Sequence, residues 1–311
     1  MSASSDKSHP PSHFRGMMPI LPTAIKPSGA IDETSQRRLV RYCLDHGAVA
    51  IGHFGIASEF HKICDSDRKN LTEIIVDEVA GRVPVFIGVT ALGVRTAVGY
   101  AQLAEEQGAD LIMAALPYVD MPNAAGAEAY YRSLSDSTSL PIIIQDTPAS
   151  SGVLTAELLT RLWETIDGVQ HVKGEGKGFL EKTAELLKQS DGHMSVIGGA
   201  GGRHLIHMLR LGVTSFMTGT EALDLHGSTV HAYLDGDEER AADIYFDKIL
   251  PYLGFYLDYS EELLKSMLHR RGIIDHPDVI APRACAPMSQ IERREFDWVL
   301  ERIGLGHGSS K

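Results

Sequence analysis

The sequence predicts an α/β fold, a TIM (β/α)8 barrel with a C-terminal helical extension. Three observations carry this. Short Val- and Ile-rich runs recur at intervals of roughly 25 to 30 residues, eight in all. The runs are continuous rather than alternating, as parallel strands buried on both faces require. Segments of helical period separate them, so the chain reads as successive βα units with right-handed crossovers. An open doubly wound sheet has the same alternation, but no Gly-x-Gly-x-x-Gly follows the first run, which weakens a dinucleotide-binding version.

The runs are, in order, "GMMPILPT" (16–23), "AVAIGHFG" (48–55), "VPVFIGVT" (83–90), "DLIMAALP" (110–117), "LPIIIQDT" (140–147), "VQHVKG" (169–174), "MSVIGG" (194–199) and "VTSFMTG" (213–219). Between the first two, "DETSQRRLVRYCLDHG" has a start signal at Asp32 or Thr34, Leu39, Tyr42 and Leu44 on one face, and Gly47 as its stop. "VRTAVGYAQLAEEQGAD" and "TAELLTRLWETIDG" follow the same rule. After the eighth run only helical periodicity remains, as in "EERAADIYFDKILPYLGFYL" and "SEELLKSMLHRRG". The expected division is a barrel over 14–225, a helical extension over 226–305, and polar disordered tails at 1–13 and 306–311.

Composition excludes several function classes. The 311 residues are 43% hydrophobic and 23% charged, which is ample for a core. No apolar run approaches the roughly 20 residues that span a bilayer. The Pro/Ser-rich start lacks the apolar stretch of a signal peptide, so a cytoplasmic protein is expected. A net charge of −12 argues against nucleic acid or an anionic membrane as partner. Cys43, Cys64 and Cys285 are scattered and show no ligand spacing, as reduced thiols do.

In such barrels chemistry sits at the C-terminal ends of the strands. That rule selects His53 with "FGIASEF", Pro117-Tyr118, Gln145-Asp146, Lys173 with Glu175, "GGAGGRH" from Gly199, and Thr218-Gly219-Thr220. Lys173 is the candidate nucleophile. Desolvation favours the neutral amine of a lysine, and a free amine attacks a ketone to form an imine that serves as an electron sink. The competing reading is a solvated loop lysine, which is how Lys177 reads. Glu175 either shuttles protons beside the imine or pairs with Lys177 or Arg203. The glycine-rich run either offers backbone N–H groups to an anion or makes a tight strand-to-helix turn. His53, His61, Asp65 and Asp67 lack a recognised metal-ligand spacing. Ser58 has no Gly-x-Ser-x-Gly elbow, which argues against a serine hydrolase.

These residues resemble the dihydrodipicolinate synthase / N-acetylneuraminate lyase family of class I aldolases and lyases, from about residue 14 to residue 300. The family's Schiff-base lysine ends strand six and maps onto Lys173. Its glycine-threonine-threonine-glycine-glutamate loop maps onto Gly55-Ile56-Ala57-Ser58-Glu59, and its tyrosine-asparagine-x-proline motif onto Gln145-Asp146-Thr147-Pro148. The resemblance implies a homotetramer, a dimer of dimers. The departures are specific. Ile56 and Ala57 keep only backbone donors for a substrate carboxylate, with Ser58 beside them. Gln145 replaces the proton-relaying tyrosine and has no acid/base function near neutral pH. The tyrosine contributed across the dimer would fall at Val119, after a retained Tyr118, and the usual arginine corresponds to Ser150. "QDTPAS", "VKGEG" and Ser58-Glu59 resemble the L-2-keto-3-deoxyarabonate dehydratase branch.

The expected function is a Schiff-base lyase acting on a small 2-keto acid, by dehydration of a 2-keto-3-deoxy sugar acid. Pyruvate-dependent aldol chemistry and a non-catalytic keto-acid-binding paralogue are the alternatives. Lys173 and Glu175 are the expected catalytic residues. Ile56, Ala57, Ser58, Gln145, Gly199 and Tyr118 are the expected substrate contacts. No metal or organic cofactor is expected, because the imine itself accepts the electrons.

Overall fold

The computed structural model describes residues 13–283 and 286–305. Of the expected tails, all but His13 lie outside the described residues, as does Cys285. Eight parallel strands form the sheet: β1 (Gly16–Met17), β2 (Ile51–His53), β3 (Val85–Gly88), β4 (Leu111–Ala114), β5 (Ile142–Asp146), β6 (Val169–Gly174), β7 (Ser195–Gly198) and β8 (Ser215–Phe216). Helices alternate with them: α1 (Glu33–Asp45), α2 (Asp65–Val79), α3 (Val94–Glu106), α4 (Ala124–Ser135), α5 (Ala156–Thr165), α6 (Phe179–Gln189), α7 (Leu205–Arg210) and α8 (Leu223–Leu234). Then come α9 (Glu238–Ile244), a π-helical turn at Tyr245–Ile249, α10 (Leu250–Arg270) and α11 (Gln290–Ile303). The fold is the expected TIM barrel with helices following it.

The strands run in sequence order from β2 to β8, and β1 pairs with β8. Backbone bonds close the circle between β1 and β2. Val49 N–H donates to Met17 O at 2.8 Å, Gly52 N–H to Pro19 O at 3.0 Å, and Leu21 N–H to Gly52 O at 2.8 Å. Inside the barrel Met18, Ile20, Ala50, Phe86, Leu111, Met113, Ile143, Ile197 and Met217 form one buried cluster, while a larger one lies between strands and helices. Thus the runs are apolar on both faces because both faces are buried.

The helix starts read at α1 and α5 are physical caps, whereas Gly93 before α3 makes no side-chain cap. Asp32 accepts from Ser35 N–H at 3.2 Å at the start of α1, and Gly47 takes a left-handed φ of 72° just beyond its end. Leu39 is buried and Tyr42 and Leu44 are half-buried. One irregularity matters for the site. The register between β5 and β6 shifts between Ile142 and Ile143, so that Ile142 pairs with Val169 but Ile143 with His171. The extra residue, Gln170, is a bulge. It brings Lys173 opposite Gln145, on the face that Ile143 and Ile197 turn to the barrel interior.

Candidate active site

Lys173 is the penultimate residue of β6, with its side chain only 5% exposed. A buried ammonium needs a partner, and it has one: Nζ lies 3.0 Å from Glu175 Oε1. Glu175 therefore pairs with Lys173, not with Lys177, which is exposed. Two further donors fix its carboxylate. Gln145 Nε2 donates to Oε2 at 2.7 Å, and the Ala200 backbone N–H donates to Oε1 at 3.1 Å. Gly199 makes the fit possible, since a Cβ there would stand 2.4 Å from Glu175 Cγ. The glycine-rich turn after β7 does offer a backbone N–H to an anion, and that anion is the protein's own glutamate.

The segment 145–151 holds this arrangement in place. Asp146, fully buried, pairs with Lys182 at 2.7 Å and ties β5 to α6. Burial pushes the Asp146 carboxyl up, and Lys182 opposes that. Ser150 Oγ donates to Asp146 Oδ1 at 3.3 Å, and Lys177 N–H donates to Ser151 Oγ at 2.9 Å. Gly176 has no room for a Cβ, which would meet Ser151 Oγ at 2.3 Å. The loop carrying Glu175 is thus stapled to the one carrying Gln145.

A cavity of about 240 Å³ opens over Lys173 and Glu175 at the C-terminal rim of the barrel. Ile56 and Ala57 wall one side, Ala200, Gly201 and Arg203 another, and Thr218 and Gly219 a third, with Tyr256 of α10 over it. Gly201, with φ at 65°, lets the Tyr256 ring come within 3.0 Å of where a Cβ would be. Burial, with the neighbouring Glu221 and Glu175 charges, holds the Tyr256 phenol protonated well above its ordinary range.

The turn 55–59 is held from below. Gly88 passes so close to Phe54 O that a Cβ would sit 2.1 Å from it. Arg68 lies 4.1 Å from the ring centroids of both Phe54 and Tyr100 and donates to Gly88 O at 2.7 Å. Glu59, in a left-handed conformation, is fully buried against Lys265 at 2.6 Å and Lys62 at 3.2 Å.

Not every expected contact is at the cavity. Ile56 and Ala57 line it, but the Ser58 hydroxyl is fully buried and donates to Leu21 O at 2.6 Å, pinning the turn to the chain after β1. Gln145 and Gly199 stand behind Glu175 instead of lining the cavity. Tyr118 is 46% exposed and packs edge-on against Phe60, away from the lining. His53 is buried beside Thr23 Oγ1 at 3.3 Å, and burial, then Arg68 and Lys265, push its imidazole down to about 3. Among the described residues no three His, Cys, Asp or Glu side chains come together as a metal-ligand set. Tyr256 was invisible in the sequence, because only the packing of α10 over the rim brings it there.

A parallel barrel whose C-terminal rim opens over a buried lysine–carboxylate pair has the architecture of the TIM-barrel lyases that work on small carbonyl acids. The chain belongs to the dihydrodipicolinate synthetase family, whose model matches residues 13–303. It is 32% identical over 279 residues to an L-2-keto-3-deoxyarabonate dehydratase from Azospirillum brasilense, covering 88% of this chain and 87% of that one. It is 26% identical over 267 residues to a 4-hydroxy-tetrahydrodipicolinate synthase from Parabacteroides distasonis, covering 85% and 89%. Among solved structures it matches a prophage protein of the dihydrodipicolinic acid synthase family from E. coli K12, in complex with pyruvate. The TM-score is 0.86 at 23% identity over 94% of this chain and 99% of that one. No described helix is long and apolar enough to cross a membrane.

Proposed function

We propose that this family lyase works through an imine on Lys173 and dehydrates a 2-keto-3-deoxy sugar acid of the L-2-keto-3-deoxyarabonate type. The observation that carries the proposal is the 3.0 Å pair of Lys173 Nζ and Glu175 Oε1 beneath the cavity. The similarity to the Azospirillum dehydratase supports the substrate class. In the proposed sequence Glu175 takes a proton from the Lys173 ammonium. The free amine attacks C2, and the C2 oxygen, taking one proton from the amine nitrogen and one from a general acid, leaves as water to give an iminium ion. A base removes a proton from C3, giving the enamine. The enamine expels the C4 hydroxyl as water, and Glu175 returns its proton to that leaving group. Backbone N–H groups of the turn holding Ile56 and Ala57 would receive the C1 carboxylate, and Arg203 would meet the distal end. Gln145 and Gly199 act by positioning Glu175.

Aldol cleavage shares the iminium and differs only in breaking C3–C4; the similarity to 4-hydroxy-tetrahydrodipicolinate synthases supports that alternative. The test is borohydride trapping with pyruvate and a panel of 2-keto-3-deoxy acids, read by mass spectrometry, with product analysis. A Lys173 adduct and a dehydrated keto acid are expected. An adduct on Lys177, or none, overturns the imine, and pyruvate plus an aldehyde overturns dehydration. A barrel to residue 225 with a helical extension beyond it, a cytoplasmic location and a homotetramer meeting near Tyr118 and Val119, the latter 71% exposed, belong to the same proposal.

A further inference from the structure

A chain of buried polar groups runs from the cavity wall into the protein behind β8. Thr218 lines the cavity. Its Oγ1 lies 3.2 Å from His226 Nδ1, His226 Nε2 lies 3.1 Å from Tyr252 OH, and Tyr252 OH lies 3.5 Å from Glu221 Oε1. None of the four is more than 2% exposed. Among the described residues no cation forms an ion pair with the Glu221 carboxylate, and its Oε2 has no hydrogen-bond partner. Arg271 donates to the Glu221 backbone O and to Asp224. A carboxylate so placed is costly to ionise. Burial raises Glu221 to about 7 and lowers His226 to about 4, so near neutral pH the imidazole is neutral and the Glu221 carboxyl is divided between its protonated and ionised forms.

Each state of Glu221 sets the direction of the bonds. With Glu221 ionised, Tyr252 donates its one hydroxyl proton to Oε1. With Glu221 protonated, that bond reverses and the Tyr252 proton goes to His226 Nε2. His226 then has its proton on Nδ1 and donates to Thr218, whose own proton rests on Gly219 O at 3.0 Å. Thr218 and Gly219 both line the cavity, so this is the end of the chain nearest the substrate site. Two glycines seal the chain. A Cβ on Gly219 would stand 2.3 Å from Glu221 Oε2, and one on Gly202 would stand 2.9 Å from His226 Nε2.

We infer that Thr218, His226, Tyr252 and Glu221 form a proton relay that exchanges one proton with the substrate bound on Lys173. The inference rests on the imine proposed above and supplies the base that step lacked. When the carbinolamine collapses, Thr218 gives its proton to the C2 hydroxyl, the C2–O bond breaks and water leaves. Each bond along the chain then shifts one proton, and Glu221 ends as a carboxylate that balances the iminium charge. When C3 loses its proton, the chain runs in reverse: Thr218 takes it, Glu221 is protonated again, and the C3–H electron pair forms the enamine. The protons released and taken up are equal, and Glu175 keeps its own for the later leaving group.

The test uses pyruvate, whose methyl hydrogens exchange with D2O through the enamine. Exchange is followed by NMR, and imine formation by quenched borohydride trapping. In Tyr252→Phe and Thr218→Val, exchange should fall by about 10- to 100-fold while the final yield of Lys173 adduct is kept. The double variant should lose no more than either single one, and Glu221→Gln should behave alike. The solvent isotope effect on imine formation should shrink with the chain broken, which a merely structural role does not produce. Exchange within twofold of the parent in Tyr252→Phe and Thr218→Val, or losses that multiply in the double variant, overturns the relay. A parent protein with no adduct overturns the imine as well, and is distinguishable from relay failure because the variants are then not needed.

Discussion

Gln145 Nε2 and Glu175 Oε2 lie 2.7 Å apart, so Gln145 holds the glutamate that Lys173 pairs with. An amide is the right group for this. It donates to a carboxylate without adding a charge or competing for its proton. A hydrogen bond to a buried charged group contributes about 1.5–3 kcal/mol, enough to keep one rotamer of Glu175 dominant.

Gln145→Leu should therefore slow pyruvate trapping on Lys173 by about tenfold or more, because the freed carboxylate turns away from Nζ. Gln145→Glu should be worse at neutral pH, since two carboxylates would meet at this distance, and should recover as the pH falls. An unchanged trapping rate in Gln145→Leu would mean that Glu175 is held by Ala200 N–H alone.

The barrel was legible because its signal is local and repeated: eight runs buried on both faces and helices capped by Asp32 and Thr155. Lys173 was legible because strand position selects it. What could not be read was which side chains meet. Ser58 reads as a free hydroxyl and is used up on Leu21 O, a contact 37 residues away in sequence. Glu175 reads as a partner for Lys177 or Arg203 and takes neither: it pairs with Lys173, while Gln145 and Ala200 reach it through the bulge at Gln170 and the register of β5, β6 and β7. Glu221 carries no signal in the sequence, because the Tyr252 that meets it lies on α10, 31 residues away.

Gly199→Ala should separate space from strain. Its φ of −123° lies outside the left-handed region, and the added Cβ would stand 2.4 Å from Glu175 Cγ. Pyruvate trapping should fall by about tenfold or more with little loss of stability. Gly178 is the control. Its φ is 66° and nothing lies within 4 Å of a Cβ, so Gly178→Ala should cost about 1 kcal/mol and leave trapping unchanged. Equal trapping in the two variants would sink the proposed role of Gly199.

The Glu59–Lys265 pair is a stability determinant that also holds the 56–58 turn. Lys265 also donates to Asp278 O at 2.8 Å, and Ile280 N–H donates to Glu59 Oε2 at 2.8 Å, so the pair ties the turn to the segment after α10. Lys265→Met leaves buried Glu59 with Lys62 and the Ile280 N–H and should cost about 3 kcal/mol by urea unfolding. Adding Glu59→Gln should recover part of that loss. A single-variant cost below about 1 kcal/mol would show that Lys62 suffices.

His171 should give the fold an acid limit. It sits in the barrel interior with Phe14 at 5.6 Å, its Nδ1 has no hydrogen-bond partner, and burial, then His13, lowers it to about 4. The folded state therefore excludes a proton that the unfolded chain binds at its ordinary value of 6.5. Stability contributed in this way is full above about 6.5 and falls as the pH drops towards 4, by about 1.4 kcal/mol per pH unit. His53 and His226 have the same sign, while Glu221, raised to about 7, gains stability over part of the same range as the pH falls and partly masks them. His171→Leu should remove one histidine's share. Relative to the parent, urea unfolding of the variant should improve by about 2 kcal/mol between pH 7 and pH 5. Parallel stability curves for the two proteins would show that the His171 imidazole gains its proton without unfolding the barrel.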